Sequence, residues 1–160
     1  MSFSIHKIVS STLLVFVFLA FTKINNPVPS INPIQNSDII KISSSFGMRK
    51  HPISKEEKMH NGCDIIAKLG VPVHATADGI VLSIEFNDTG YGNKVVIQHV
   101  NSIKTLYAQL NEIKAEEGQK VSQNDVIGTV GSSGASTGPH LHYEVIDHDK
   151  HVDPENYFAK

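Results

Sequence analysis

The sequence predicts an all-β domain, built as a single antiparallel β-sheet or barrel-like fold. Runs rich in Val, Ile, Thr and Tyr recur along the chain and are separated by Gly, Asn and Asp, as in proteins made of short strands and turns. After the first 22 residues there is little sustained helical periodicity, and strand and helix patterns do not alternate. No internal repeat is visible. A dinucleotide-binding or doubly wound architecture therefore has little support.

Five strands stand out, and the short connections between them indicate antiparallel pairing. Residues 87–93 contain Asn, Asp and Gly and form a loop between the first two strands. Asn101 and Ser102 form a tight turn between the next two strands, so the middle of the chain is predicted to be a meander. The predicted strands are residues 79–86, 94–100, 104–110, 126–130 and 141–146.

Length and composition indicate one folded domain. A chain of 160 residues with 40% hydrophobic residues can fill one ordinary core but hardly two. The formal net charge is -2, and no cluster of Lys and Arg suggests a nucleic-acid partner. We expect a monomer that does not bind nucleic acid.

Residues 1–22 form a different kind of segment. Lys7 precedes an uncharged apolar run, residues 8–21, which fits the core of a signal peptide and is shorter than the roughly 20 residues that span a bilayer. A terminal run without a polar face suits a targeting segment better than a buried helix. Because residues 19–22 make a poor cleavage site, the segment is either a signal peptide or a membrane anchor. We expect an exported protein in the periplasm or cell envelope, free or anchored to the inner membrane.

Residues 23–37 are predicted to be a linker. They include Pro27, Pro29 and Pro33 among Asn and Ser residues, and they contain few stretches that could form a core. The folded domain is therefore expected to comprise residues 38–160 and to begin near Asp38.

Two histidine motifs about eighty residues apart supply candidate metal ligands. The segment His60-Asn-Gly-Cys-Asp64 provides an imidazole and a carboxylate, and His140-Leu-His142 provides two more imidazoles. Catalytic zinc sites commonly use three protein ligands, and two histidines with one acid are a recurring set. Residues two apart in a strand face the same side, so one of His140 and His142 can bind the metal while the other lies beside its water. The pattern indicates a zinc-dependent hydrolase.

Cys63 is the only cysteine, so no intrachain disulfide can form. If the segment is extended, His60 and Asp64 share one face and Cys63 points to the other, which favours a small buried hydrophobe over a metal ligand. Structural roles are expected for five of the histidines outside the two motifs, which are His6, His74, His99, His148 and His151.

Several further short motifs lie around the candidate ligands. They are Ser45-Phe-Gly-Met-Arg49, His51-Pro52, Ala75-Thr-Ala-Asp-Gly79, Tyr91-Gly-Asn93, Gly118-Gln119, Gly131-x-x-Gly134 and Ser136-Thr-Gly-Pro-His-Leu-His142. Together with His60-x-x-x-Asp64 they resemble the lysostaphin/LytM-type zinc metallopeptidases over roughly residues 42–147, nearly the whole expected domain. The combination of motifs is highly specific for that family.

The resemblance implies both a zinc site and an activity. It implies that His60, Asp64 and His142 bind Zn2+ and that His140 is the catalytic histidine. It also implies an antiparallel β fold with a cleft lined by loops, which cuts peptide stems or cross-links of bacterial peptidoglycan. The expected function is that of a zinc metalloendopeptidase.

The chain departs from the family pattern at one catalytic position. The family usually has a second catalytic histidine in a Tyr-x-His-Leu segment, and here the segment is Tyr107-Ala-Gln109-Leu110. Glutamine cannot exchange a proton near neutral pH, but its amide can donate a hydrogen bond to a developing oxyanion. One hypothesis is an active endopeptidase with His140 and Gln109 as catalytic residues. The alternative is a zinc-binding but catalytically weak domain that binds peptidoglycan or regulates another cell-wall hydrolase.

A third class of protein, the biotinyl or lipoyl carrier, has less support. Residues 117–128 resemble a segment of such a barrel, but no modifiable lysine lies at a hairpin tip flanked by apolar residues. A carrier barrel would also leave the two histidine motifs without a role.

Four other features are assigned from residue chemistry. Arg49 either binds a substrate carboxylate, caps a loop or pairs with an acid of the protein. His51, before Pro52, is expected to be structural, and Tyr107 either packs in a strand or orients substrate. Residues 131–138 are expected to form a flexible wall of the cleft, since neither a lysine nor a helix follows them as in a phosphate-binding loop.

Overall fold

The computed structural model describes residues 25–50 and 55–158, and these residues form thirteen β-strands and one short 3-10 helix. No α-helix occurs within those two ranges. The helix is Pro154–Tyr157, and Asp153 caps it by accepting a hydrogen bond from the backbone of Glu155. The strands are β1 Lys41–Ser44, β2 Gly47–Lys50, β3 Glu57–His60, β4 Cys63–Ile66, β5 Pro72–His74, β6 Gly79–Glu85, β7 Lys94–Gln98, β8 Ile103–Ala108, β9 Leu110–Ile113, β10 Lys120–Val121, β11 Val126–Val130, β12 Leu141–Asp147 and β13 Lys150–Val152.

Every strand pair is antiparallel, and the strands divide among three sheets. The main sheet has the order β1-β4-β12-β8-β7-β6-β10, with β13 pairing to β12. A second sheet has the order β5-β11-β9, and β2 with β3 forms a two-stranded ribbon. The prediction of an all-β antiparallel domain is confirmed, although the strands are not confined to a single sheet.

The predicted meander is present, because β6, β7 and β8 are consecutive neighbours in the main sheet. The turn between β7 and β8 has positive φ at both Asn101 and Ser102, 54° and 59°, which matches the twist of a two-residue hairpin. The strand predicted over residues 104–110 is wrong in one respect. It is interrupted at Gln109, where φ is 61°, and the chain continues as β9 in the second sheet.

The core lies between the main sheet and the second sheet and contains two large aromatic side chains. Tyr107 and Tyr143 are fully buried, and the Tyr107 hydroxyl accepts a hydrogen bond from the backbone N–H of Thr76 at 2.9 Å. Tyr107 therefore packs in the core, which is one of the two roles expected for it. Cys63 is also fully buried within the core cluster, as its position in the motif predicted.

The segment assigned to a linker is packed against the domain. Ile34 is fully buried in the core, Pro33 accepts a hydrogen bond from the backbone of His74, and Ser30 donates one to Thr76. Farther back, the Asp78 carboxylate accepts the backbone N–H groups of Asn25 and Asn26 at 2.8 and 3.1 Å. The expected start near Asp38 is thus too late, because prolines that suggest a linker also suit an extended segment laid along a sheet.

The expected signal peptide or anchor, residues 1–22, lies outside the described residues, as do His6 and His51. Within the part of the chain that is described, no helix has the length and apolar character needed to cross a membrane.

Candidate metal centre

The candidate ligands meet because three strand ends meet. Asp64 on β4 lies directly opposite His142 on β12, and His60 ends β3. Between β3 and β4 the chain passes so close to Tyr143 that Gly62 has no room for a side chain. The glycine in the His60-x-x-x-Asp64 motif is thus required for the turn that brings both residues to one face.

Three side-chain atoms from these strands form a small triangle at the bottom of a cleft of about 820 Å³. His60 Nε2 lies 3.2 Å from Asp64 Oδ1 and 3.1 Å from His142 Nδ1, and the third side of the triangle is 2.9 Å. Ligand atoms of a tetrahedral zinc ion lie about 3.3 Å apart when each bond is about 2.0–2.1 Å. The donor types and spacing of the triangle therefore fit a zinc ion with one open position.

The outer nitrogen of each histidine ligand has its own acceptor. His60 Nδ1 lies 2.9 Å from the carbonyl oxygen of Ser45, and His142 Nε2 lies 2.9 Å from Glu144 Oε1. Histidine ligands of metals usually donate their second N–H to such a carbonyl or carboxylate, which fixes ring orientation and tautomer.

Arg49 pairs with the carboxylate that forms one corner of the triangle. Its Nη2 lies 3.2 Å from Asp64 Oδ2, so the expected role of pairing with an acid is the one that the structure shows. Burial raises the pKa of Asp64, but its close contacts with His142 and His60 outweigh burial and hold the pKa well below its usual range. Asp64 is therefore a carboxylate at neutral pH, the form that can bind a metal ion.

His140 lies beside the triangle with one nitrogen directed into the cleft. Its Nδ1 lies 2.7 Å from the carbonyl oxygen of Gly138, and its Nε2 lies 3.9 Å from Asp64 Oδ1. A neutral imidazole that donates Nδ1–H to Gly138 keeps a lone pair on Nε2. His140 precedes β12 rather than lying within it, and it pairs with Gly131 through an isolated bridge.

Gln109 lies in the same cleft and is 8% exposed. Its backbone N–H donates to the carbonyl oxygen of Tyr91, and its left-handed φ separates β8 from β9. Among the described residues its side-chain oxygen has no hydrogen-bond partner. This oxygen is therefore not held by any group in the described part of the chain.

The glycine-rich wall of the cleft is tied to its neighbour, in contrast to the flexible segment that was expected. Ala135 donates to the carbonyl oxygen of Gly90, and Ser133 Oγ accepts from the backbone of Asn93 at 3.0 Å. Gly134 has φ of 67°, and a side chain there would overlap the backbone of Gly92. The 87–93 and 131–138 loops thus pack together as one wall.

Of the histidines assigned structural roles, those in the described ranges lie away from the triangle, with one partial exception. His74 and His99 are buried and contact backbone carbonyl oxygens of Asn124 and Asp78. His148 is exposed beside Asp147. His151 Nδ1, however, lies 3.1 Å from Glu144 Oε2, which links it to the surroundings of His142. The sequence analysis did not assign a role to Glu144, although it stands two residues after a candidate ligand.

The fold and the site together are those of a metallopeptidase domain. The chain matches the family model described as Peptidase family M23 over residues 58–154, more than half of its 160 residues. The matched range includes the three candidate ligands, His140 and Gln109. The chain belongs to peptidase family M23.

Curated relatives are similar over the same part of the chain. The DD-carboxypeptidase/endopeptidase Mpg of Neisseria meningitidis serogroup B is 47% identical over 114 residues, which are 71% of this chain and 26% of that protein. The peptidoglycan DD-endopeptidase ShyA of Vibrio cholerae is 46% identical over 107 residues, 66% of this chain and 25% of that protein. The chain thus spans about a quarter of the length of these relatives.

Solved structures confirm the fold. A zinc-containing peptidase from Vibrio cholerae superposes with a TM-score of 0.73 at 35% identity, covering 80% of this chain and 39% of that one. The catalytic domain of lysostaphin from Staphylococcus simulans gives a TM-score of 0.66 at 26% identity, covering 73% of this chain and 90% of that one. The resemblance to lysostaphin/LytM-type peptidases is confirmed.

Proposed function

We propose that this protein is a zinc-dependent endopeptidase that hydrolyses peptide bonds in bacterial cell-wall peptidoglycan. The observation that carries the proposal is the triangle of two imidazole nitrogens and one carboxylate oxygen with the free nitrogen of His140 beside it. Three ligands and an adjacent base are the components of a hydrolytic zinc site.

In this proposal His60 Nε2, Asp64 Oδ1 and His142 Nδ1 hold the zinc ion. When bound, the ion supplies Lewis acidity that polarises the scissile carbonyl and lowers the pKa of water to about 7. Two neutral imidazoles and one carboxylate leave this centre with a net positive charge, which favours that chemistry. Arg49 keeps the Asp64 carboxylate oriented through its second oxygen.

His140 performs the proton transfers. Its Nε2 takes a proton from the attacking water and passes it to the leaving amine, and one histidine can do both in turn. The hydrogen bond from Nδ1 to the Gly138 carbonyl oxygen holds the ring in the tautomer that this role requires.

Gln109 stabilises the negative charge that develops on the carbonyl oxygen of the substrate. The Gln109 side chain is 8% exposed in the same cleft, and no described group holds its oxygen. Its amide N–H can therefore turn toward the substrate carbonyl oxygen. Arg49 is not assigned to the substrate, because its guanidinium group pairs with Asp64.

The proposed substrate and location follow from the relatives. ShyA is named as a peptidoglycan DD-endopeptidase, and peptidoglycan lies outside the cytoplasmic membrane. An export segment at residues 1–22 would place the domain in the periplasm or cell envelope, where its substrate is.

The decisive experiment is incubation of the purified full chain with peptidoglycan, with and without a metal chelator, followed by analysis of the products. We expect new peptide ends that disappear with chelator and return with added Zn2+. Elemental analysis of His142→Ala should show zinc occupancy collapsing, whereas His148→Ala, a matched change at an exposed histidine, should retain zinc. Full zinc in both His142→Ala and Asp64→Ala would overturn the ligand assignment.

A second candidate function is a zinc-binding but catalytically weak domain that binds peptidoglycan or regulates another cell-wall hydrolase. It is favoured by Gln109, which occupies the position where the family usually has a second catalytic histidine. Co-sedimentation with intact peptidoglycan, without release of peptide ends at any zinc concentration, would support this candidate instead.

A further inference from the structure

Glu144 is a carboxylate that is completely buried in the wall of the cleft. It lies on β12, two residues after His142 and on the same face of the strand, and its side chain is 0% exposed. Burying a carboxylate is costly unless hydrogen bonds or charges compensate for the lost water. The reaction proposed above does not use this acid, although it contacts a proposed ligand.

Three side chains surround the Glu144 carboxylate. His142 Nε2 lies 2.9 Å from Oε1, and the Tyr91 hydroxyl donates to the same oxygen at 2.7 Å. The other oxygen lies 3.1 Å from His151 Nδ1 on β13. Glu144 thus connects the candidate ligand to the 87–93 loop and to the neighbouring strand.

The contact with Glu144 determines which nitrogen of His142 is free to bind a metal. A neutral imidazole has one N–H and one lone pair. When Nε2–H donates to Glu144, the lone pair is on Nδ1, the nitrogen that lies 2.9 Å from Asp64 Oδ1. His60 has the opposite arrangement, because its Nδ1 faces the Ser45 carbonyl oxygen and its Nε2 faces the triangle.

We propose that Glu144 is a positioning residue that holds His142 with Nδ1 directed at the metal, and that Tyr91 in turn holds Glu144. The inference rests on the proposed zinc function but adds a role that the reaction itself does not require. It also connects two parts of the site, since the Tyr91 carbonyl oxygen accepts the backbone N–H of Gln109 at 2.9 Å. A shift of Tyr91 would therefore change both the metal ligand and the proposed oxyanion donor.

The first test measures zinc affinity of the full chain by competition with a chromogenic chelator. Glu144→Leu, which keeps the approximate size but removes both oxygens, should weaken zinc binding by about 10- to 100-fold. Glu144→Gln should weaken it less, because an amide oxygen can still accept from His142. Tyr91→Phe should lie between Glu144→Gln and the parent. Glu112→Gln, the same chemical change at an exposed position on β9, should bind zinc as the parent does.

The second test is nitrogen NMR of the zinc-loaded protein labelled in histidine. The parent should show His142 coordinated through Nδ1 and protonated at Nε2. Glu144→Gln should keep that pattern, and Glu144→Leu should lose it. If Glu144 only packed against its neighbours, replacing it would not change which nitrogen of His142 is protonated.

The outcomes separate this inference from the proposed function. A parent that binds no zinc would overturn both. A parent that binds zinc while Glu144→Leu binds within about twofold of it, against the expected 10- to 100-fold loss, would overturn the inference alone. Coordination of His142 through Nε2 in the parent would do the same. If Glu144→Leu does not fold, zinc affinities of Tyr91→Phe and Glu144→Gln that both equal that of the parent would also overturn it.

Discussion

Replacing Gln109 distinguishes the active enzyme from the catalytically weak domain, and the backbone decides which replacements are informative. The φ of 61° is left-handed, a conformation in which His and Asn occur more often than most residues. Gln109→His should therefore fold as well as the parent. Gln109→Ala carries the same backbone strain as the parent, so its effect reports on the amide. Gln109→Asn is a matched control that keeps an amide but shortens its reach by one methylene.

The size of the effect follows from the position of the amide. Gln109 is nearly buried in the cleft, and no described protein group holds its side-chain oxygen. If the amide donates to the oxyanion, Gln109→Ala should lower turnover by about 100- to 1000-fold, or about 3–4 kcal/mol, without releasing zinc. Gln109→Asn should lose most of the same activity, because the shorter amide no longer reaches the substrate.

The opposite result is expected if the domain is catalytically weak. Gln109→His would then restore a missing proton-transfer group and raise turnover at least about tenfold, against the 100- to 10000-fold that such groups contribute when well placed. We expect the parent to be the competent enzyme, because it keeps all three candidate ligands together with His140.

The assay is turnover of one cross-linked peptide by the parent and the three variants, with zinc content measured for each. Zinc content must stay constant for the comparison to report on catalysis rather than on metal loss. No detectable cleavage by the parent together with strong cleavage by Gln109→His would refute the expectation. So would a Gln109→Ala variant that is as active as the parent.

Three further predictions concern His140, Asp78 and Cys63. His140→Ala should lower hydrolysis by roughly 100- to 10000-fold while zinc remains bound, and a variant that cuts peptidoglycan as fast as the parent would show that another base exists. Partial burial raises the pKa of Asp78, but backbone hydrogen bonds from Gln123, Asn26 and Asn25 outweigh it and lower the pKa. The stabilisation from Asp78 is then fully present above the unfolded pKa of about 3.9 and is lost as the pH falls through the lower folded value. Hydrogen exchange of residues 25–34 should accelerate in that range, and Asp78→Asn should remove the pH dependence. Burial raises the pKa of the Cys63 thiol well above its usual range, so a thiol reagent should modify it only as fast as the protein unfolds, and rapid labelling of the native protein would contradict its buried position.

The sequence predicted that His60, Asp64 and His142 lie together, but not which of their atoms face one another. Motif spacing made His60 and Asp64 candidate ligands, and the family resemblance selected His142 over His140, because parity alone treats these two histidines alike. The choice between Nδ1 and Nε2 depends on acceptors such as Glu144 and the Ser45 carbonyl oxygen, which belong to the folded arrangement. Spacing alone does not contain that information.

The errors in the predicted fold have the same origin. A hydrophobic pattern continues from β8 into β9, so nothing local reveals that Gln109 takes a left-handed φ and directs the chain into another sheet. Ile34 looks like an isolated apolar residue among prolines, and its burial depends on strands that lie much later in the chain. Long-range packing decided both cases.

The packing of the segment before Asp38 sets how far the domain can reach from a membrane. If the apolar run of residues 8–21 stays in the bilayer, the chain from Phe21 to Asn25 can span at most about 14 Å. A free linker over residues 23–37 would have extended to about 50 Å.

Asn25, where the described chain begins, lies near the end of β8 opposite the one that carries the cleft. Asn25 is fixed to Asp78, beside the end of the sheet where Gln98 pairs with Lys104, whereas His142 pairs with Ala108 at the other end of β8. An anchored copy would therefore be attached near the end of β8 opposite the one that carries the cleft. A copy released by cleavage would not be held at that point, so the two forms would differ in how far the cleft can move from the membrane.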